Sequence, residues 1–227
     1  MQYPLWTDRA LVWFSCGAAS AVAAKIAIKK STLPVEVLYC DTLKYEHPDN
    51  IRFMDAVQAW IGQEIKILRS SRYADIMAVF RGERFLRGPL GAPCTRILKR
   101  DVRVAYSSPG DQHILGLTAD ETKRIARFEM ENPAVWPEWV LRAEGITKSD
   151  CYRILTQAGI ELPEMYRLGY RNNNCIGCVK GGAGYWNKIR RDFPESFDRM
   201  AALERDLDHA LNRLKKRPVF LDELPKD

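Results

Sequence analysis

The stretch LVWFSCGAAS, residues 11 to 20, runs into an alanine- and lysine-rich segment that ends at Lys30. The apolar run up to Phe14 predicts a buried strand, the small residues from Ser15 to Ser20 predict a turn, and residues 21–30 predict a helix. Backbone N–H groups in such a turn, beside a helix N-terminus, can approach a phosphate. Small residues also close ordinary strand–helix turns, so the turn alone leaves both interpretations open.

Strands and helices continue to alternate along the first half of the chain. Apolar runs at 35–39, 65–68 and 113–117 predict three further strands, and residues 49–61 and 119–130 have the patterns of helices. This alternation predicts an α/β fold with a doubly wound, mostly parallel sheet. Because ligands of such sheets bind at the carboxyl ends of strands, the loops after Phe14, Tyr39 and Leu117 should converge on one cleft.

The second half of the chain has a different pattern. We predict one compact unit, with an α/β domain over residues 1–147 and a helical C-terminal extension over residues 148–227 packed on it. The extension should contain a cysteine-bearing loop and helices at about 185–191 and 194–214. The segment 81–93, rich in Gly and Arg, is interpreted as a mobile flap, and the basic run 213–217 as a solvated helix end.

Composition and charge narrow the class of protein. The net charge of +6 suits anionic ligands such as nucleotides or nucleic acid. The sequence has no signal-peptide pattern and no apolar run of about eighteen residues, so we expect a cytoplasmic protein that does not use a membrane. Six cysteines in a reducing compartment indicate metal binding or chemistry more than a disulfide framework.

The cysteines differ in their surroundings. Cys175 and Cys178 form a CxxC in a polar, Asn- and Gly-rich loop, which suits an iron–sulfur cluster or zinc. Cys94 alone is equally well explained as a small buried residue. Cys151 lies in a helical pattern and is interpreted as a structural thiol, with the role of a fourth metal ligand left open.

The pattern Ser-x-Gly-x-x-Ser between a strand and a helix resembles the PP-loop, Ser-Gly-Gly-x-Asp-Ser, of phosphoadenylyl-sulfate (PAPS) reductases and N-type ATP pyrophosphatases. Ser15, Gly17 and Ser20 match the motif, Cys16 stands at the first glycine, and Ala19 stands at the acidic position. The resemblance implies the adenine nucleotide alpha hydrolase-like fold and an adenine nucleotide as ligand. The missing acid argues against magnesium-assisted ATP cleavage of the usual type, although magnesium stays among the expected ions.

Further segments resemble these enzymes in the same order along the chain. Asp41-Thr42 at the end of the second strand is similar to their Asp-Thr, and Gly116 with the arginines that follow is similar to their glycine-containing strand end and charged helix. The resemblance implies that Asp41 contacts the ribose or base and that Arg124 and Arg127 neutralise phosphate or sulfate. The implied nucleotide-binding set is Ser15, Gly17, Ala18, Ser20, Asp41, Gly116 and Arg127.

The segment from Cys94 to Lys99 resembles the Cys-Cys-x-x-x-Lys of cluster-containing sulfonucleotide reductases, which pair it with a downstream CxxC. This resemblance implies a [4Fe–4S] cluster on Cys94, Cys175 and Cys178, with zinc as the alternative. Three ligands would leave one iron open, as in some tRNA-thiolating relatives. The catalytic candidates are Cys16, Lys99 and Arg124.

The resemblance implies an enzyme that transfers sulfur to an adenylylated substrate or reduces a sulfonucleotide. The printed tail lacks the nucleophilic cysteine of typical reductases, so we expect little PAPS reduction. The alternative is a catalytically altered module that binds a nucleotide or nucleic acid and has a structural metal site. Expected partners are an adenine nucleotide, a sulfur donor or reductant protein, and a second copy of the chain. Nucleic acid stays open, because the aromatic residues around the CxxC suit either base stacking or packing.

Overall fold

The structure, a computed structural model, describes residues 8–226. A five-stranded sheet has the order β3-β2-β1-β4-β5, and all four of its strand pairings are parallel. The predicted doubly wound α/β architecture is therefore confirmed. The sheet strands are β1 Ala10–Phe14, β2 Val35–Cys40, β3 Ile65–Leu68, β4 Gln112–Leu115 and β5 Trp136–Glu138.

Helices connect the strands and make up most of the rest of the chain. A π-helical segment, Arg96–Arg100, joins two short helices, and 3-10 turns lie at Leu43–Tyr45 and Leu221–Glu223. The helices are α1 Ala18–Lys30, α2 Asp49–Ile61, α3 Ile76–Glu83, α4 Pro93–Thr95, α5 Asp101–Tyr106, α6 Thr122–Glu131, α7 Val140–Ala143, α8 Lys148–Gln157, α9 Glu164–Arg167, α10 Ala183–Asp192 and α11 Pro194–Leu207. Within residues 8–226, no helix combines the length and the apolar character that a membrane span requires.

The described chain groups into two compact units. The first contains the sheet and comprises the chain up to Asp41, Pro48–Leu68 and Arg103–Asn173. The second comprises Thr42–His47, Arg69–Val102 and the chain from Asn174 onward. Residues 148–173 group with the sheet, and the domain division predicted after residue 147 stays a prediction.

The C-terminal region corrects two predictions. The last helix ends at Leu207, not at residue 214, because Asp208 is left-handed (φ 48°) and the buried Glu204 carboxylate accepts the N–H groups of Leu211 and Leu221 instead of a helix continuing. The basic run is not a helix end: it forms the antiparallel hairpin of β6, Asn212–Leu214, and β7, Arg217–Val219.

The segment interpreted as a flap has a defined backbone. It begins in the last turns of α3, which end at Glu83, and continues into a turn that two reciprocal hydrogen bonds close between Gly88 and Gly91, at 2.8 and 2.9 Å. Pro93 then starts α4. The mobility of the segment stays a prediction.

Helix α1 is held against the centre of the sheet by its small side chains. Its buried residues are mostly alanine, and β1 is buried along its whole length, so the helix backbone comes close to the strands. Gly116, directly after β4, marks the closest approach: a Cβ at this position would lie 2.5 Å from the backbone N and 2.6 Å from the Cα of Ser20. Only glycine lets the end of β4 meet the first turn of α1 in this way.

We therefore expect Gly116→Ala to destabilise the protein by about 1–3 kcal/mol, because the added methyl overlaps backbone atoms that cannot move aside cheaply. The matched control is Gly184→Ala, since Gly184 lies exposed in α10 and a Cβ there meets nothing within 4 Å. That control should be neutral or slightly stabilising. Urea unfolding of both variants measures the difference, and equal stability of the two would contradict the close approach.

Candidate functional site

The turn between β1 and α1 is tied together by one side chain. The Ser20 hydroxyl oxygen accepts the backbone N–H groups of Ser15 (3.0 Å) and Gly17 (3.3 Å), and it donates to the carbonyl oxygen of Gly17 (2.9 Å). The Ser15 hydroxyl donates to the Ser20 oxygen at 3.2 Å. The structure thus brings Ser15, Gly17 and Ser20 together as predicted, with Ser20 shaping the turn.

Cys16 occupies the sharpest point of this turn. Its backbone is left-handed, with φ 56°, a conformation that favours glycine and costs other residues about 1–2 kcal/mol. The Asn173 amide donates to the Cys16 carbonyl oxygen (2.6 Å) and to the side-chain oxygen of Asn50 (2.8 Å). The Cys16 thiol is fully buried and donates to the Asn50 carbonyl oxygen at 3.4 Å. These contacts suit a role in shaping the turn, and the catalytic role of Cys16 stays a prediction.

An aromatic hydroxyl lies at the N-terminus of α1. The backbone N–H groups of Asn173 and Ala18 face the Tyr166 hydroxyl oxygen; burial nevertheless raises the pKa of that hydroxyl. A Cβ on Gly17 would lie 3.3 Å from the same oxygen. The first free N–H groups of a helix attract anions, so an oxygen atom already stands where a phosphate oxygen would bind.

A lysine accompanies this tyrosine. Lys148 opens α8, and its ammonium lies 5.4 Å from the centre of the Tyr166 ring and 5.9 Å from that of Tyr152. The ammonium donates to the carbonyl oxygen of Arg171 and to the side-chain oxygen of Asn172 (3.1 Å). Burial, and then the nearby Arg171, lowers its pKa. An anion would relieve that electrostatic cost.

The other nucleotide candidates lie at the same edge of the sheet or on α6. Asp41 and Gly116 directly follow β2 and β4, the two neighbours of β1, so they leave the sheet at the same edge as the turn. Arg124 pairs with Glu121, and Arg127 pairs with Glu131 at 2.6 Å; both arginine side chains are about two-thirds exposed. Arg124 therefore pairs with the residue that precedes α6 and Arg127 with the last residue of α6, and their contact with phosphate stays a prediction.

The three predicted metal ligands meet in the second unit. Cys94, Cys175 and Cys178 line one cavity, although Cys94 is distant from the other two in the sequence. The wall is largely apolar, with Ile76, Met77 and Phe80 from α3. Its polar groups include Ser196 and Arg199 of α11, which are joined by a hydrogen bond of 3.0 Å.

The CxxC loop owes its shape to two glycines and one tyrosine. The Tyr185 hydroxyl accepts the Cys178 N–H (2.9 Å) and donates to the Cys175 carbonyl oxygen (3.2 Å), which fastens both ends of the motif. A Cβ on Gly181 would lie 2.0 Å from the Tyr185 ring, so the ring packs directly on the backbone there. Gly177 is left-handed (φ 75°). These contacts fix the backbone of the CxxC loop.

The environment of Cys94 and Cys175 favours their neutral thiol form. Burial raises the pKa of Cys175 to about 12 and raises that of Cys94 as well. Lys99 acts in the opposite direction on both thiols, and Lys180 does so on Cys94. The Lys99 ammonium therefore lies close enough to Cys94 and Cys175 to favour their thiolate forms.

The donor set fits a thiolate-binding group, but its spacing is not yet that of a metal site. Among residues 8–226, no group of three or more His, Cys, Asp or Glu side chains is arranged so that it could hold a metal ion. Three thiols in one cavity are nevertheless the donors that iron–sulfur clusters and zinc use. Binding would require the thiols to approach one another and lose protons. Cys151, fully buried in α8, belongs to the first unit.

Comparison with solved structures shows which fold this is. The PAPS reductase from Candida auris, solved as a phosphate complex, superposes with a TM-score of 0.51 at 13% sequence identity, over 74% of this chain and 81% of that one. The chain has the fold of PAPS reductase. The U34-tRNA thiolase NcsA from Methanococcus maripaludis, solved with its [4Fe–4S] cluster, aligns over 100% of this chain and 79% of that one, at 13% identity and a TM-score of 0.45. No protein-family model and no curated protein matches the chain.

Several residues at these sites escaped the sequence analysis. Tyr166 and Tyr185 belong to the aromatic set that the sequence left open between base stacking and packing, whereas Lys148, Asn50 and Asn173 around the turn and Arg199 in the cysteine cavity were not identified. Their positions depend on contacts between distant parts of the chain, so spacing could not reveal them. The cations interleaved with aromatic residues after position 147 were the one available signal. Tyr170 and Trp186, from the aromatic set near the CxxC, are buried, which agrees with packing.

Proposed function

We propose that this chain is a nucleotide-binding iron–sulfur enzyme of the PAPS reductase and PP-loop ATP pyrophosphatase superfamily, acting in sulfur chemistry. The observation that carries the proposal is the cavity in which Cys94, Cys175 and Cys178 meet, in a chain with the PAPS reductase fold. The reaction would be sulfur transfer to an adenylylated substrate or reduction of a sulfonucleotide.

The nucleotide would bind at the turn between β1 and α1. The strand order supports this place, because β1 lies between β2 and β4 at the point where the order of the strands reverses, and open α/β sheets bind ligands there. The amides at the start of α1 would hold phosphate oxygens. The Tyr166 side chain would either move aside or donate a hydrogen bond to the phosphate. Lys148 would neutralise part of the phosphate charge. Asp41, at the end of β2, would contact the ribose or base.

The three thiols would hold the cluster. A [4Fe–4S] cluster bound by three thiolates supplies one iron without a protein ligand, where a sulfur species can bind. The chain's own contribution is electrostatic and steric. Lys99 favours the thiolate form of Cys94 and Cys175, Arg199 brings a positive charge to the cavity wall, and the apolar residues of α3 exclude water. An anionic sulfur species would find compensation for its charge there.

If the turn holds a phosphate, Gly17→Val should weaken ATP binding at least tenfold. The extended backbone of Gly17 (φ −112°, ψ 158°) accepts valine, so the fold should survive, but the new side chain would fill the space beside the Tyr166 hydroxyl that the phosphate needs. Calorimetric titration with ATP measures the affinity, and thermal melting checks the fold.

The matched control is Gly182→Val. Gly182 is also an extended N-cap (φ −90°, ψ −175°), at the start of α10, and a Cβ there meets nothing within 4 Å. This variant should bind ATP like the wild type. Unchanged ATP affinity in Gly17→Val would remove the turn from the nucleotide site.

The cluster predicts a direct chemical result. Protein purified without oxygen should be brown and contain about four iron and four sulfide per chain. Serine at position 94, 175 or 178 should remove the colour and lower the melting temperature, because a cluster that binds only the folded chain also stabilises it. Iron and sulfide assays with a visible spectrum measure the content.

Cys151→Ala serves as the control, since this thiol belongs to the first unit and burial raises its pKa to about 12. It should keep the wild-type content of iron and sulfide, whatever its effect on stability. Protein that contains one zinc and no sulfide would contradict the cluster, and so would colour that persists in both Cys175→Ser and Cys178→Ser.

A further inference from the structure

The hairpin of β6 and β7 concentrates positive charge that the described structure leaves uncompensated. Arg213, Lys215, Lys216 and Arg217 are exposed, and none of them forms an ion pair with any residue in the range 8–226. The acidic residues that follow, Asp222 and Glu223, both form ion pairs with Arg205, with N–O distances of 2.7 Å. We call these four cations and their two strands the basic hairpin.

The tip of the basic hairpin has an unfavourable backbone for its sequence. Leu214 pairs with Arg217, so the two lysines alone form the turn, and both are left-handed, with φ 48° and 70°. Asn-Gly is the dipeptide that suits such a turn, while a lysine in this region costs about 1–2 kcal/mol. Two lysines at a costly turn make this tip a candidate for a function that the side chains serve.

An aromatic face lies at the base of the basic hairpin. The loop after α3 is fastened there, because Arg87 donates to the Leu211 carbonyl oxygen at 2.6 Å and Arg84 to that of Asp206 at 3.4 Å. In this loop Phe85 packs edge-on against His209, with ring centres 4.9 Å apart, and is still 40% exposed. Exposed cations and a partly exposed aromatic ring thus lie on neighbouring segments of the second unit.

We propose that this surface binds single-stranded nucleic acid, with phosphates on the basic hairpin and a base stacked on Phe85. Single strands are held by this combination, since cations follow the backbone and every base has a face that stacks on an aromatic ring. An acidic peptide would need the charges but not the ring. A membrane surface would need a wider apolar face than Phe85 and Leu214 provide. The proposal does not depend on the nucleotide site or the cluster.

The test uses fluorescence anisotropy with labelled single-stranded RNA and DNA of about 20 nucleotides at a series of salt concentrations. Lys215→Asn/Lys216→Gly keeps a favourable turn and removes two charges. It should raise the melting temperature while weakening binding, and it should reduce the slope of log affinity against log salt by about 1.4, or 0.7 for each lost phosphate contact. Phe85→Leu keeps the apolar contact and should weaken binding about five- to a hundredfold without changing that slope.

The control for overall charge is Lys29→Gln/Arg142→Gln, which removes two exposed cations from the first unit and should leave the slope unchanged. The tighter-binding oligonucleotide, RNA or DNA, would show which nucleic acid the surface prefers. The proposal would be overturned if Lys215→Asn/Lys216→Gly kept the wild-type slope, or if the Lys29→Gln/Arg142→Gln control reduced the slope by the same amount. Binding of polyglutamate or of phosphatidylserine vesicles as tight as that of the oligonucleotides, with no effect of Phe85→Leu, would also overturn it and indicate an acidic protein or a membrane.

Discussion

The contact between the end of β4 and the first turn of α1 sets the geometry of the first unit. Since Gly116 has no side chain, the strand meets the helix backbone at Ser20, and the helix N-terminus is held at the carboxyl edge of the sheet. The turn between β1, which ends at Phe14, and α1, which begins at Ala18, must then reverse the chain within three residues. It does so with a left-handed Cys16 and with the Ser20 hydroxyl as its internal anchor. The positive end of the helix dipole and the first N–H groups of α1 are thereby brought to the edge where α/β sheets bind ligands.

The second unit is organised around a set of three thiols. Its thiols come from separate parts of the sequence into an apolar cavity, where burial keeps at least Cys94 and Cys175 protonated. A cation that binds there must displace protons, so its affinity should rise with pH. Glycines at 177 and 181, with the Tyr185 hydroxyl, hold the CxxC loop ready and limit the rearrangement that binding requires. If the proposed cluster binds, the same loop would link its binding to the stability of the unit.

The sequence predicted the sheet well because its signals are local. The apolar runs of β1 to β4 and the turn of small residues from Ser15 to Ser20 differ plainly from their neighbours. Strand β5, Trp-Pro-Glu, is too short and too polar for such a pattern and was missed. From the sequence, the basic run 213–217 was predicted to be a helix end. In the structure, the contacts of Glu204 end α11 at Leu207, and the run lies beyond the helix. The cysteine set needed the resemblance to known enzymes, while Tyr166 and Lys148 needed the folded chain.

We propose that the start of α1 binds the phosphate of a nucleotide, and the N–H groups of this turn allow a direct test. Backbone ¹H–¹⁵N spectra of the metal-free protein, recorded during titration with ATP, report on the N–H groups concerned. We expect the largest shifts at Gly17, Ala18 and Ala19, with smaller ones at Gly116 and Asp41. ATP that binds while the amides at 17–19 stay unperturbed, with shifts confined to other parts of the chain, would contradict it.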